Sequence, residues 1–225
     1  MEQIRIGLLI PHTDTTLEYD LKRELPSHCS IHTERMWLDN VTIESEKKMI
    51  EKELPRALTY LKAIDVDVVI FGCTSAGSIY GLEGDRRVKM KMSDELNCPS
   101  ISAYSAVHHA LNERDAHEVA VVTPYIESVT KSVVKGLENE NFTIPFFKGM
   151  GMENDIDIGK TKPEEILDFI HMHHENIENV DTLFISCTNL RALECQRTIE
   201  SEYHVNVITS NGAIIREIKR LFNFD

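Results

Sequence analysis

The chain has 225 residues, 42% hydrophobic and 27% charged, which is ordinary for a globular protein long enough for one large domain or two lobes. Its formal net charge of −13 disfavours nonspecific binding to nucleic acid or to an anionic membrane, both polyanions. No stretch approaches the roughly 20 apolar residues of a membrane span.

The first apolar run, residues 4–10, ends at Pro11 and is too short for the core of a signal peptide, so the expected location is the cytoplasm. Five cysteines in that compartment read as free thiols, and none forms a Cys-x-x-Cys pair that would suggest structural zinc. Residues 4–10 predict a strand, 16–25 a helix, 30–36 a strand and 43–64 a helix that Pro55 breaks or kinks. Residues 66–72 are β-branched and almost wholly apolar, as a parallel strand covered on both faces should be. A helical region near 84–96, a strand over 98–103 and a helix over 106–113 complete the first half.

The second half repeats this grammar. Strands are predicted at 118–124, 143–150, 180–186 and 205–210, and helices at 126–139, 163–177, 190–202 and 212–222. Pro11 and Pro124 follow the first strand of each half, 113 residues apart (124 − 11), and Cys73 and Cys187 follow a later strand, 114 apart (187 − 73). The pattern predicts a parallel α/β protein built as an internal duplication of two similar lobes. Residues 1–104 plus 206–225 are assigned to the first lobe with a returning C-terminal helix, and 105–205 to the second.

Ligands of parallel sheets bind beyond the carboxyl ends of the strands. The segments "GCTS" (72–75) and "SCTN" (186–189) both fall there, so Cys73 and Cys187 are expected to face one cleft from opposite sides. A helix start after each cysteine should lower the thiol pKa and, with Thr74, Ser75, Thr188 and Asn189, hold a substrate carboxylate. Opposed thiols suit proton exchange at a stereocentre, or addition to an alkene followed by rotation and elimination. Neither reaction needs a metal or an organic cofactor.

The segments "RIGLLIPHTDTTLE" (5–18), "VVIFGCTSAGS" (68–78), "VAVVTPYIES" (119–128) and "FISCTNLRALE" (184–194) resemble the aspartate/glutamate racemase superfamily. The similarity is greatest to its maleate cis-trans isomerase and arylmalonate decarboxylase branch. The resemblance implies an α/β fold of two pseudo-symmetric Rossmann-like lobes with parallel four-stranded sheets and the active site in the cleft between them. It also implies that Cys73 and Cys187 are a catalytic pair, and that Tyr125 and the residues after each strand bind substrate. Both cysteines are present, whereas decarboxylases of the arylmalonate kind keep only the second. Asp14 departs from the branch, which has Asn within a Pro-Ser-x-Asn-Thr motif. An ionised Asp only accepts hydrogen bonds, so Asp14 suits a substrate ammonium, or belongs to a helix start in which Thr15 and Glu18 have capping-box spacing. His12 can supply a compensating positive charge.

Other features have plainer readings. Cys98 and Cys195 read as packing residues and Cys29 as a loop residue. Arg191 reads as a solvated helix arginine, and His171 and His174 of "HMHH" as a surface cluster, as do His108 and His109. "GLEGD" (81–85) reads as a mobile loop able to close over the cleft. The expected function is a cofactor-independent, two-cysteine racemase or isomerase of a small carboxylate, either an aspartate/glutamate-type amino acid or a maleate-type dicarboxylate. Its partner is that small molecule, with a homodimer as the one assembly considered. The rival from another class is a cytosolic binding protein that senses a small acid without chemistry.

Overall fold

The apolar runs become the inner strands of two parallel sheets in a computed structural model that describes residues 3–224. The first half contains β1 (Ile4–Pro11), α1 (Leu17–Glu24), β2 (Cys29–Met36), α2 (Ile43–Lys48), α3 (Leu54–Leu61), β3 (Val68–Phe71), α4 (Thr74–Ser78), α5 (Gly81–Leu96), β4 (Ser100–Ser102) and α6 (Ala103–Glu113). The second half contains β5 (Glu118–Tyr125), α7 (Glu127–Glu138), β6 (Thr143–Met152), α8 (Asp155–Lys160), α9 (Pro163–His171), α10 (His174–Ile177), β7 (Thr182–Ile185), α11 (Ala192–Tyr203), β8 (Asn206–Thr209) and α12 (Ser210–Phe222).

The sheets have the same topology. The strand order is β2-β1-β3-β4 in one and β6-β5-β7-β8 in the other. The pairing is parallel throughout. Every residue of β3 and of β7 is buried, because helices cover both faces of these strands. The halves meet where α6 packs on α12 and α4 on α7. Tyr104 of α6 wedges into this seam. A Cβ at Gly136 would lie 2.0 Å from its hydroxyl, and one at Gly77 would lie 2.6 Å from its Cβ, so both helices need glycine there. Among the described residues, no helix is long and apolar enough to cross a membrane.

Several boundaries differ from the sequence expectation. Asn206–Thr209 pairs with β7 in the second sheet, so the return to the first lobe falls after Thr209 rather than at residue 206. The helix over 43–64 widens into a π-helical turn at Met49–Glu53. That turn relieves the clash between the Pro55 ring and the preceding carbonyls. The helix over 163–177 breaks between His171 and His174. "GLEGD" is not a loop but the first turn of α5, where Gly81 adopts φ +63°. Cys29 opens β2 rather than lying in a loop. His108 is not on the surface. It is 3% exposed, packed against Tyr104 and Phe142, while His109 meets Glu217 at the surface.

Candidate active site

Each cysteine sits immediately past a buried inner strand. Gly72 ends the β3 segment in a place where a Cβ would lie 2.5 Å from Leu17 and 2.8 Å from Ile10, so only glycine lets the chain turn there. Cys73 follows in extended conformation as the N-cap of α4. Cys187 adopts φ +105°, a strained conformation for a non-glycine residue, and strain of this kind persists only where neighbours enforce it. Here its N–H donates to Ser210 Oγ at 3.1 Å, and Ser210 also accepts the Thr74 hydroxyl at 2.8 Å. The Thr188 hydroxyl donates to the Gly72 carbonyl at 3.1 Å. The two cysteine turns are thus bonded to each other across the halves.

Between them lies a narrow pocket with little free space. Cys73, Thr74, Ser75, Tyr125, Cys187, Thr188 and Asn189 all line it. A wider cleft of about 1000 Å³ beside Lys89, Ile101 and Arg220 contains no thiol, so the chemistry points to the smaller space. Cys73 and Cys187 are only 5% and 6% exposed. Contacts between the halves close around the pocket, with the Thr15 N–H donating to the Asn189 side-chain oxygen at 2.9 Å and the Val41 N–H to the Glu153 carbonyl at 2.8 Å, while within the second half the Asn189 amide donates to the Asp155 carbonyl at 2.8 Å.

Two predicted residues stand outside the lining. His12 is half-buried, stacks on Trp37 at 4.2 Å and accepts the Leu38 N–H on Nδ1. Asp14 is fully buried behind the wall. Its Oδ1 accepts the N–H groups of Thr16 and Leu17, so this carboxylate shapes the start of α1. No capping box forms. Thr15 N–H goes to Asn189, and Glu18 pairs with Lys22 and Thr33. Asp14 Oδ2 has no hydrogen-bond partner among the described residues. Burial pushes the Asp14 carboxyl up to about 6, against the two N–H groups that favour its charge. Arg191 pairs with Glu194 on the surface, and His171 meets Tyr203. Among the described residues no group of three His, Cys, Asp or Glu side chains is placed to hold a metal ion.

The electrostatics differ from the expectation that a helix start after each cysteine lowers the thiol pKa. No helix follows Cys187 until Ala192, and α4 is a single short turn. Backbone N–H groups of Ala76 and Asn189 do favour the thiolates of Cys73 and Cys187. Burial outweighs them and pushes both thiols well up, with added repulsion from Glu46 at Cys73 and from Asp155 at Cys187. Tyr125 is raised by burial as well, with added repulsion from the Cys187 and Cys73 thiolates.

Three contributors were missed from sequence. Glu46 of α2 reaches the cavity and accepts the Ser75 hydroxyl, while Ser75 Oγ lies 3.8 Å from Cys73 Sγ. Burial pushes Glu46 up to about 8, and its Oε2 has no hydrogen-bond partner among the described residues. Asp155 lines the other side, accepts the Thr13 hydroxyl and is raised by burial. Ser210 joins the two turns. The one signal for Glu46 was its spacing from Ile43 and Met49, which puts a carboxylate on the buried stripe of the helix.

The comparisons with known proteins agree with one another. The family model described as arylmalonate decarboxylase matches residues 6–225. The chain is similar to a maleate isomerase of Nocardia farcinica, 26% identical over 219 residues, 93% of this chain and 86% of that protein. A solved structure of a Nocardia farcinica maleate cis-trans isomerase variant, with a covalently bound succinylcysteine intermediate, superposes with a TM-score of 0.90 at 24% identity, covering 98% of this chain and 93% of that one. A crystal structure of arylmalonate decarboxylase gives a TM-score of 0.80 at 19% identity, covering 96% and 92%.

Proposed function

The chain belongs to the arylmalonate decarboxylase family, and from that premise we propose that it is an isomerase or racemase of a small carboxylate that works with the thiols of Cys73 and Cys187. The observation that carries this reading is that both cysteines line one pocket, each following an inner strand of one of two sheets with the same topology. The kinship with maleate isomerases supports it, and the succinylcysteine of the Nocardia farcinica structure is chemistry of the same kind.

In this reading one thiol reaches each face of a planar substrate. Either one thiolate takes the proton next to the carboxylate while the opposite thiol donates, or a thiolate adds to an alkene, the carbon–carbon bond rotates, and elimination follows. The thiols and the cavity supply these steps without a metal or organic cofactor. The developing negative charge on the carboxylate side needs fixed donors. Side-chain hydroxyls of Thr74 and Thr188 are already committed to Ser210 and Gly72. The backbone N–H groups of Ala76 and Asn189, which face the sulfurs, are the donors at hand. A buried pocket keeps water from the intermediate.

Proton NMR in D₂O tests the proposal. Maleate, aspartate, glutamate and related acids are each incubated with the protein. Fumarate from maleate indicates cis-trans isomerisation, and loss of an α-proton signal indicates racemase chemistry. Absence of both, with ligand binding retained, would leave the non-catalytic sensor as the better reading.

A further inference from the structure

The cavity has an acidic wall that a dicarboxylate substrate does not explain. Glu46 enters from the first half and Asp155 from the second, and both line the space between the thiols. Glu46 is fully buried and Asp155 is 8% exposed. They are close enough for the charge of Asp155 to disfavour ionisation of Glu46. Asp14 lies behind the same wall.

No Lys or Arg side chain lines the cavity among the described residues. Arg35, on the nearby end of β2, donates to the carbonyls of His12 and Asp14 at 3.0 and 2.7 Å instead. A buried carboxylate is retained at a large penalty unless a positive partner or several donors meet it. Asp155 has Thr13, but Glu46 has only Ser75, and its second oxygen is orphaned at the cavity.

We infer that the ligand of this site carries a protonated amine in addition to its carboxylate, and that Glu46 and Asp155 hold the amine between them. This rests on the isomerase reading and narrows its substrate class. An ammonium brings three donors and one positive charge, which matches the orphaned Glu46 oxygen and the Asp155 carboxylate. A dianion such as maleate brings two further negative charges to a wall that already holds two carboxyl groups. The resulting zwitterionic ligand adds no net charge to a cavity without a lining cation, where maleate would add two negative charges.

The competing account is that Glu46 stays protonated and donates to a substrate carboxylate. The two differ in the sign of proton exchange on binding. The titratable groups facing Glu46 are Cys73 and Asp155, and those facing Asp155 are His12, Cys187 and Asp14. An incoming ammonium ionises Glu46 and releases a proton to the buffer. An incoming carboxylate releases none, or takes one up.

The test uses two probes of the same length and geometry, maleate and (Z)-4-aminobut-2-enoate. Turnover is followed by NMR, and binding by calorimetry at neutral pH in two buffers of different ionisation enthalpy. The amine probe is expected to be preferred, with net proton release on binding. Glu46→Gln should abolish the release, and Glu46→Gln and Asp155→Asn should each erode the preference about tenfold or more. Preference for maleate, proton uptake with the amine probe, or a preference unmoved by both substitutions overturns this inference and leaves the isomerase reading standing. Failure of both probes to bind or react overturns the two together.

Discussion

The Thr188 hydroxyl donates to the carbonyl of Gly72 at 3.1 Å, so the residue after one cysteine holds the residue before the other. Substituting Thr188 by Val keeps the shape and removes the donor. The buried Gly72 carbonyl then loses this partner, which should cost about 1–3 kcal/mol. Urea unfolding should show a lower midpoint at an unchanged slope. A midpoint equal to that of the unsubstituted protein would show that the link carries no stability.

Cys73→Ser and Cys187→Ser should each lower turnover by about 10² to 10⁴-fold if each thiol moves a proton or forms the adduct. Both sulfurs sit in a lined cavity rather than in tight packing, so unfolding midpoints should barely move. A variant that keeps near-normal turnover would reduce the site to a single working thiol.

Glu46 gives stability a pH slope. Its folded pKa, raised to about 8, lies above the unfolded value of 4.5, so the folded protein holds a proton that the unfolded chain releases between those values. Stability from this group is therefore full below pH 4.5 and lost as pH rises through 8. Glu46→Gln removes the slope, so relative to the parent the variant should gain on the order of a few kcal/mol between pH 5 and pH 9. Parallel urea curves at these two pH values would contradict the assignment.

His108 acts with the opposite sign. Burial pushes it down to about 4, against 6.5 when unfolded, and neither ring nitrogen has a hydrogen-bond partner among the described residues. The unfolded chain binds the extra proton between those values, so stability falls as pH drops from 6.5 towards 4. His108→Leu should remove up to about 3 kcal/mol of this acid sensitivity. Thermal melts at pH 4.5 and 7 read the difference, and an unchanged gap between them would place His108 outside the core.

The fold was legible because its inner strands are apolar runs with few competing readings, and because the Cys-Thr pair recurs at matched distance from a strand-ending proline. Legibility failed where tertiary context overrides local appearance. Glu46 sits in "IESEKKMIEKE", which looks like a solvated face until the stripe from Ile43 to Met49 is followed. Asp155 looks like an ordinary first-turn acid of α8, and nothing local links it to a thiol. His108 was paired by eye with its exposed neighbour, although its spacing from Tyr104 and Leu111 marks the buried face of α6. Asp14 was noticed, but its dealings with the N–H groups of Thr16 and Leu17 depend on a turn that composition does not specify.

The closure made by Asn189, Thr15 and the Val41–Glu153 backbone bond has a kinetic consequence. Because both thiols are almost fully buried, these bonds must open before a ligand reaches them and again before it leaves. Stopped-flow binding should then reach a ceiling rate that further ligand cannot raise, set by how often the latch opens. Asn189→Ala should lift that ceiling. It should also let solvent reach the reaction, so faster exchange would come with more escape of half-finished product.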